Sequence, residues 1–96
     1  MDSYVIYPNG ERLPARPKRT RPSDDERFSV TQLQDIVGGY IGILDVDDGL
    51  LIYNDDGPLN DKPINVTATR IAQQNEEWKG YIAGPAIVCA RGMIKV

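Results

Sequence analysis

The apolar positions change period several times along the chain, and each change marks an element. Tyr4-Val5-Ile6-Tyr7 is a run of β-favouring residues closed by Pro8-Asn9-Gly10, which predicts a short first strand over Ser3–Tyr7 followed by a turn. A short edge strand near Glu11–Leu13 is the next candidate. From Leu13 to Asp25 the text LPARPKRTRPSDD carries three prolines and no apolar period, so residues 13–25 are expected to form a mobile, basic, proline-rich loop. Ser29 then stands as N-cap with Gln32 three residues on, and Phe28 and Leu33 bracket them as a hydrophobic staple. Leu33, Ile36 and Val37 recur at helical spacing, predicting a helix over about Val30 to Val37 that Gly38-Gly39 ends.

Tyr40–Val46 and Leu50–Asn54 read as an antiparallel hairpin with Asp48-Gly49 as its loop. That loop would set Val46 opposite Leu51 and Leu44 opposite Tyr53, on one shared face. Gly42 within the first of these strands marks either a weak strand position or a close approach of another group. After the turn Asn54-Asp55-Asp56-Gly57-Pro58, Asn65 can cap a helix over about Val66–Gln74, with Ala68, Ile71 and Ala72 as its apolar side. Tyr81-Ile82, Ala86–Ala90 and Met93–Val96 are the remaining strand candidates. The expected architecture is a single α+β domain over 1–96, a small mixed, mainly antiparallel sheet with two short helices on one face.

Composition narrows the chemistry. The chain has 96 residues, no histidine and one cysteine, which removes the usual imidazole base, multi-thiolate metal sites and internal disulfides. No cofactor is implied. A lone thiol and the lack of a charged, apolar leader over Met1–Asn9 point to a reducing cytoplasm, and no apolar run reaches membrane-spanning length. Charge is segregated: residues 11–22 hold five bases against one acid, net +4, while the other 84 residues hold six bases against thirteen acids, net −7. Arg16, Lys18, Arg19 and Arg21 are therefore the candidate contacts for an acidic partner, whether a protein surface or a nucleic acid. Aromatic platforms for stacking bases are not interleaved with them.

Other candidates are weaker in pattern. Asp45, Asp47, Asp48, Asp55 and Asp56 supply oxygens of the kind that bind Mg²⁺ or Ca²⁺, but their spacing lacks the calcium-loop order, and a solvated-turn role accounts for them. Gly38-Gly39 matches no phosphate-binding fingerprint and is read as a helix stop. Tyr40, Asn65, Thr69 and Arg70 combine aromatic, amide, hydroxyl and guanidinium groups suited to a small anionic ligand. Asn65-Val66-Thr67 has the form of a glycosylation acceptor, for which the helix-cap reading is preferred. Trp78 reads as a core or rim anchor, and Cys89 within AIVCA reads as a buried apolar residue.

The string Leu33-Gln34-Asp35-Ile36-Val37-Gly38-Gly39-Tyr40-Ile41 resembles the signature of an uncharacterised domain family of bacteriophages and bacterial mobile elements. The similarity continues through Asn54-Asp55-Asp56-Gly57, Leu59–Asn65 with Ala68 and Thr69, and the segment around Tyr81–Val88. Relatives often carry a carboxylate where this chain has Gly42, and its basic insertion is unusually long. The resemblance implies a phage or mobile-element setting in a bacterial host cytoplasm and no particular reaction. The expected function is a noncatalytic binding or regulatory protein, with a homodimer as a natural way to protect the edges of a short sheet. The alternatives are a small nucleotide-processing enzyme using carboxylates or a metal, and a structural virion component.

Overall fold

The computed structural model describes residues 3–18 and 27–95. Its elements follow in the order β1 (Tyr4–Ile6), β2 (Arg12–Pro14), α1 (Val30–Val37), β3 (Ile41–Val46), β4 (Gly49–Asn54), a 3₁₀ turn over Gly57–Asn60, α2 (Val66–Ala72) and β5 (Ala86–Cys89). The five strands form one open sheet ordered β2-β1-β5-β4-β3. Every neighbouring pair is antiparallel. The α+β class and the antiparallel sheet agree with the sequence.

The placement of the helices does not. Leu33 and Val37 of α1 pack with Phe28 against Val5, Ile52, Ile87 and Cys89. Ala68 and Ala72 of α2 pack instead with Ile82 against Ile6, Val46, Leu51, Ala86 and Val88. Adjacent residues of a strand point to opposite faces, so Ile87 and Val88, or Leu51 and Ile52, belong to different sides of the sheet. The two helices therefore cover opposite faces, giving three layers, and the expectation of both on one face is corrected. The physical reason lies in β5, whose four residues are all buried. A strand that is apolar at every position needs cover on both sides.

Local signals held closely at the helix starts. Ser29 accepts a hydrogen bond from Gln32 N at 3.1 Å, and Gly38 ends α1 in the left-handed region at φ 85° with its N–H on Gln34 O. The second helix begins where Asn65 accepts from Ala68 N at 3.0 Å and stops at Ala72, two residues before the expected end.

The hairpin register shifts by two residues from the expected one. Val46 pairs with Gly49 and Leu44 with Leu51, so Asp47-Asp48 is the loop. Among the described non-glycine residues only Asp61 has positive φ, and the extra twist falls on Gly49 at φ 138°. A two-residue slip preserves the faces, and Leu44, Val46, Leu51 and Tyr53 still share one side. Two strand candidates do not form strands: Tyr81-Ile82 is irregular, with an isolated bridge next to it between Ala83 and Ile64, and Met93–Val96 keeps, among the described residues, a bridge between Ile94 and Phe28. The edge strand β2 takes in Leu13 and Pro14, so the irregular stretch begins at Ala15. Residues 19–25 of the expected loop lie outside the described residues.

Candidate functional site

Gln32 does something its position in a capping pattern does not announce. A full capping box would turn its side chain back to Ser29 N; instead the Nε2 donates to Arg16 O at 2.8 Å, and the Oε1 accepts from Lys18 N at 3.0 Å. One amide thus bonds the main chain on both sides of Pro17, as a neighbouring strand would. Gln32 is buried, whereas Arg16 and Lys18 are exposed. The clamp fixes the backbone of the tripeptide to α1 and leaves its two cations facing outward. Arg12 lies nearby in sequence on β2, its guanidinium 5.1 Å from the Tyr4 ring centre, within range of a cation–π contact. Arg19 and Arg21 lie outside the described residues.

The four residues grouped for a small anionic ligand have separate employments. Asn65 is fully buried. Its Nδ2 donates to Ile6 O and to Gly84 O, both at 2.9 Å, and its Oδ1 caps α2. Thr69 Oγ1 donates to Asn65 O at 2.8 Å and accepts from Ile82 N at 2.9 Å. These groups tie α2 to β1 and to the segment before β5. Arg70 is exposed on α2. Tyr40 is 72% exposed and borders a shallow hollow of roughly 410 Å³ with Gln34, Asp35, Gly38 and Gly39. Asn65, Thr69 and Arg70 form no part of its wall.

Lys62 was not singled out in the sequence, yet two glycines are arranged around it. A Cβ at Gly38 would stand 2.9 Å from Lys62 Nζ, and one at Gly84 would stand 2.8 Å from its Cδ. The lysine stem crosses Gly84 and brings its ammonium to the C-terminal end of α1, where the helix carbonyls favour positive charge. Asn54, also buried, donates from Nδ2 to Val37 O at 3.1 Å at the same helix end. Gly84 N bonds Pro63 O at 2.8 Å, and Asn65 N bonds Ile82 O at 2.8 Å. Segments far apart in sequence, 33–41, 54–57, 59–65 and 81–88, therefore meet around the end of α1 and the start of α2.

A model of a domain of unknown function, DUF3846, matches residues 9–93. The chain belongs to the DUF3846 family. Neither a curated protein nor a solved structure matches it. Family membership thus fixes a domain and no activity.

A few further groups among the described residues of this DUF3846 chain bear on its chemistry. Burial pushes the Cys89 thiol up to about 11, away from the thiolate form a nucleophile needs. Tyr53 is raised by burial first and by the Asp55 carboxylate second. Asp45, Asp47, Glu76 and Glu77 line an open depression of roughly 630 Å³ beside Arg91. There Arg91 Nε meets Asp45 Oδ1 at 3.0 Å and its Nη2 donates to Val46 O at 2.7 Å. Among the described residues no group of three or more carboxylate or thiol side chains is placed to hold a metal ion. No helix among them is long and apolar enough to cross a membrane.

Proposed function

We propose that this DUF3846 chain is a noncatalytic binding protein that docks an acidic protein surface through its clamped basic segment, in a phage or mobile-element setting. The observation that supports this reading most is the Gln32 clamp: a buried side chain uses both ends of its amide to hold Arg16-Pro17-Lys18. Holding the backbone lowers the entropy lost when the two cations engage a partner. Arg19 and Arg21 follow directly in sequence and add to the same positive stretch.

An acidic protein patch suits the charge pattern better than a nucleic acid does. The body outside residues 11–22 carries net −7, which opposes a long polyanion approaching broadside but not a compact carboxylate cluster meeting the segment alone. The resemblance of Leu33–Ile41 to a phage and mobile-element signature supports the setting. Regulation by occupancy then requires no turnover, in keeping with Asn65, Asn54 and Gln32, buried polar groups that hold backbone.

Native mass spectrometry of the protein purified gently from a bacterial cytosol tests this, with R16Q/K18Q/R19Q/R21Q alongside. A retained protein mass that the variant loses, and that higher salt strips from the wild type, is the expected result. A retained nucleic acid would replace the protein partner with a polyanion. Equal retention by both proteins, or no retained mass in either, would overturn the reading.

A further inference from the structure

The two edges of the sheet differ in how they are protected. On one side β2 is three residues long and ends in Pro14, a residue without an N–H to offer. On the other side β3 is six residues long, with no proline and no lysine.

Which main-chain groups of β3 face outward follows from its pairing with β4. Asp55 N donates to Tyr40 O at 2.9 Å, and Val46 pairs with Gly49 across a two-residue loop. Alternation along an antiparallel pair then turns the peptide groups of Tyr40, Gly42, Leu44 and Val46 toward β4, and those of Ile41, Ile43 and Asp45 away from it. The two ends of this outer row are already engaged. Asp45 O accepts from Asn75 Nδ2 at 2.9 Å, and Gly39 N donates to Gln34 O at 3.1 Å. Between them, the N–H and C=O of Ile41 and of Ile43 have no partner among the described residues.

These four free groups are symmetric about Gly42. We infer that a second copy of this chain pairs with β3 along this edge, antiparallel, with the two-fold axis through Gly42. Ile41 then faces Ile43 of the second copy, and each such pair exchanges two N–H···O bonds, so all four groups on each chain are satisfied. The neighbouring registers compete with existing bonds at specific atoms. Centring on Ile43 needs the C=O of Asp45, which Asn75 holds, and centring on Ile41 needs the N–H of Gly39, which Gln34 holds. A slip of one residue sets outward groups against inward ones.

The side chains suit the same register. Ile43 is 49% exposed and Tyr40 72% exposed. Pairing about Gly42 sets Ile43 beside the other copy's Ile41 and Tyr40 beside its Leu44, covering both with apolar groups. Asp45 faces the other copy's Gly39, so no like charges meet. The product is a continuous sheet made of both copies, with the two β2 strands and their basic segments at its far ends. The dimer is therefore independent of whether that segment binds an acidic partner.

Sedimentation equilibrium across micromolar to submillimolar concentrations reads the association directly. The wild type is expected to move from monomer to dimer as concentration rises. Ile43→Lys places a strongly hydrated charge in the isoleucine cluster and is expected to weaken the dimer by about tenfold or more. Tyr40→Glu, outside the strand, serves as a second variant, and circular dichroism verifies that both remain folded. Mixing Ile41→Cys with Ile43→Cys chains under mild oxidation is expected to cross-link 41 to 43 in preference to 43 to 43. A monomer at every concentration, a dimer indifferent to both edge variants, or a dominant 43-to-43 link would each overturn the inference.

Discussion

Replacing Asn65 with alanine is the most demanding stability test of this fold. The side chain is fully buried and bonds three main-chain groups: Ala68 N at the start of α2, Ile6 O at the end of β1, and Gly84 O ahead of β5. Losing the helix cap costs about 1 kcal/mol. Losing the amide donor from two carbonyls in a closed site costs about 1–3 kcal/mol for each that finds no water. A total of about 3–7 kcal/mol is expected when neither carbonyl finds water, a large fraction of the roughly 5–14 kcal/mol available to a domain of this size. With a urea slope of about 1.5 kcal/mol/M, the midpoint falls by about 2–5 M. Urea unfolding followed by far-ultraviolet circular dichroism measures it. Asn65→Asp separates the contributions, since a carboxylate keeps the cap acceptor but sets negative charge against the two carbonyls. Its native state favours the protonated acid, so its deficit relative to wild type grows as pH rises above the unfolded value of about 3.9. A loss below about 1 kcal/mol for Asn65→Ala would refute the claim that this side chain joins α2 to the sheet.

Three further outcomes follow from single observations. A Cβ at Gly42 would stand 2.3 Å from Tyr53 Cζ, and the Tyr53 ring packs edge-on to Trp78 at 5.1 Å, so Gly42→Ala should cost about 1–3 kcal/mol and shift the Trp78 emission. Gln32→Ala should abolish slow amide exchange at Lys18, whose N–H donates to Gln32 Oε1; hydrogen exchange with mass or resonance detection reads this. Cys89, with its thiol raised to about 11, should resist alkylation in the native state near neutral pH. Because the unfolded thiol ionises first, at about 8.5, its contribution to stability is complete below that value and is lost as pH rises toward 11. Urea unfolding across that alkaline range tests the sign, with a Cys89→Ala variant separating this thiol from the tyrosines and lysines.

Signals carried by adjacent residues were readable in advance, and signals that depend on which faces meet were not. Ser29 with Gln32, Gly38, and Asn65 each report on their own turn of backbone, and α1 falls at Val30–Val37 as its spacing predicts. The hairpin was legible to its faces but not its pairs, because Gly49 offers its positive φ either inside the loop or just after it. Opposite-face helices were written in the chain as well: Ala86-Ile87-Val88-Cys89 has no polar alternation, and a strand of that kind is covered on both sides. Weighing that run against the short apolar stripes of the helices would have favoured three layers.

The candidate site was harder, because residue type does not reveal employment. Asn65 and Thr69 have groups suited to a ligand, yet their atoms are bonded to Ile6, Gly84, Ala68, Ile82 and the first turn of α2. Gln32 looked like half of a capping box, and its second function lies sixteen residues back in the chain. The same argument explains why β3 stands out. The groups of Ile41 and Ile43 that lack a partner among the described residues are visible only after the neighbours that occupy Asp45 O and Gly39 N have been placed. The buried amides of this chain hold its own backbone. What is left exposed is a clamped pair of cations at one end of the sheet and, among the described residues, an edge strand with unpaired groups at the other.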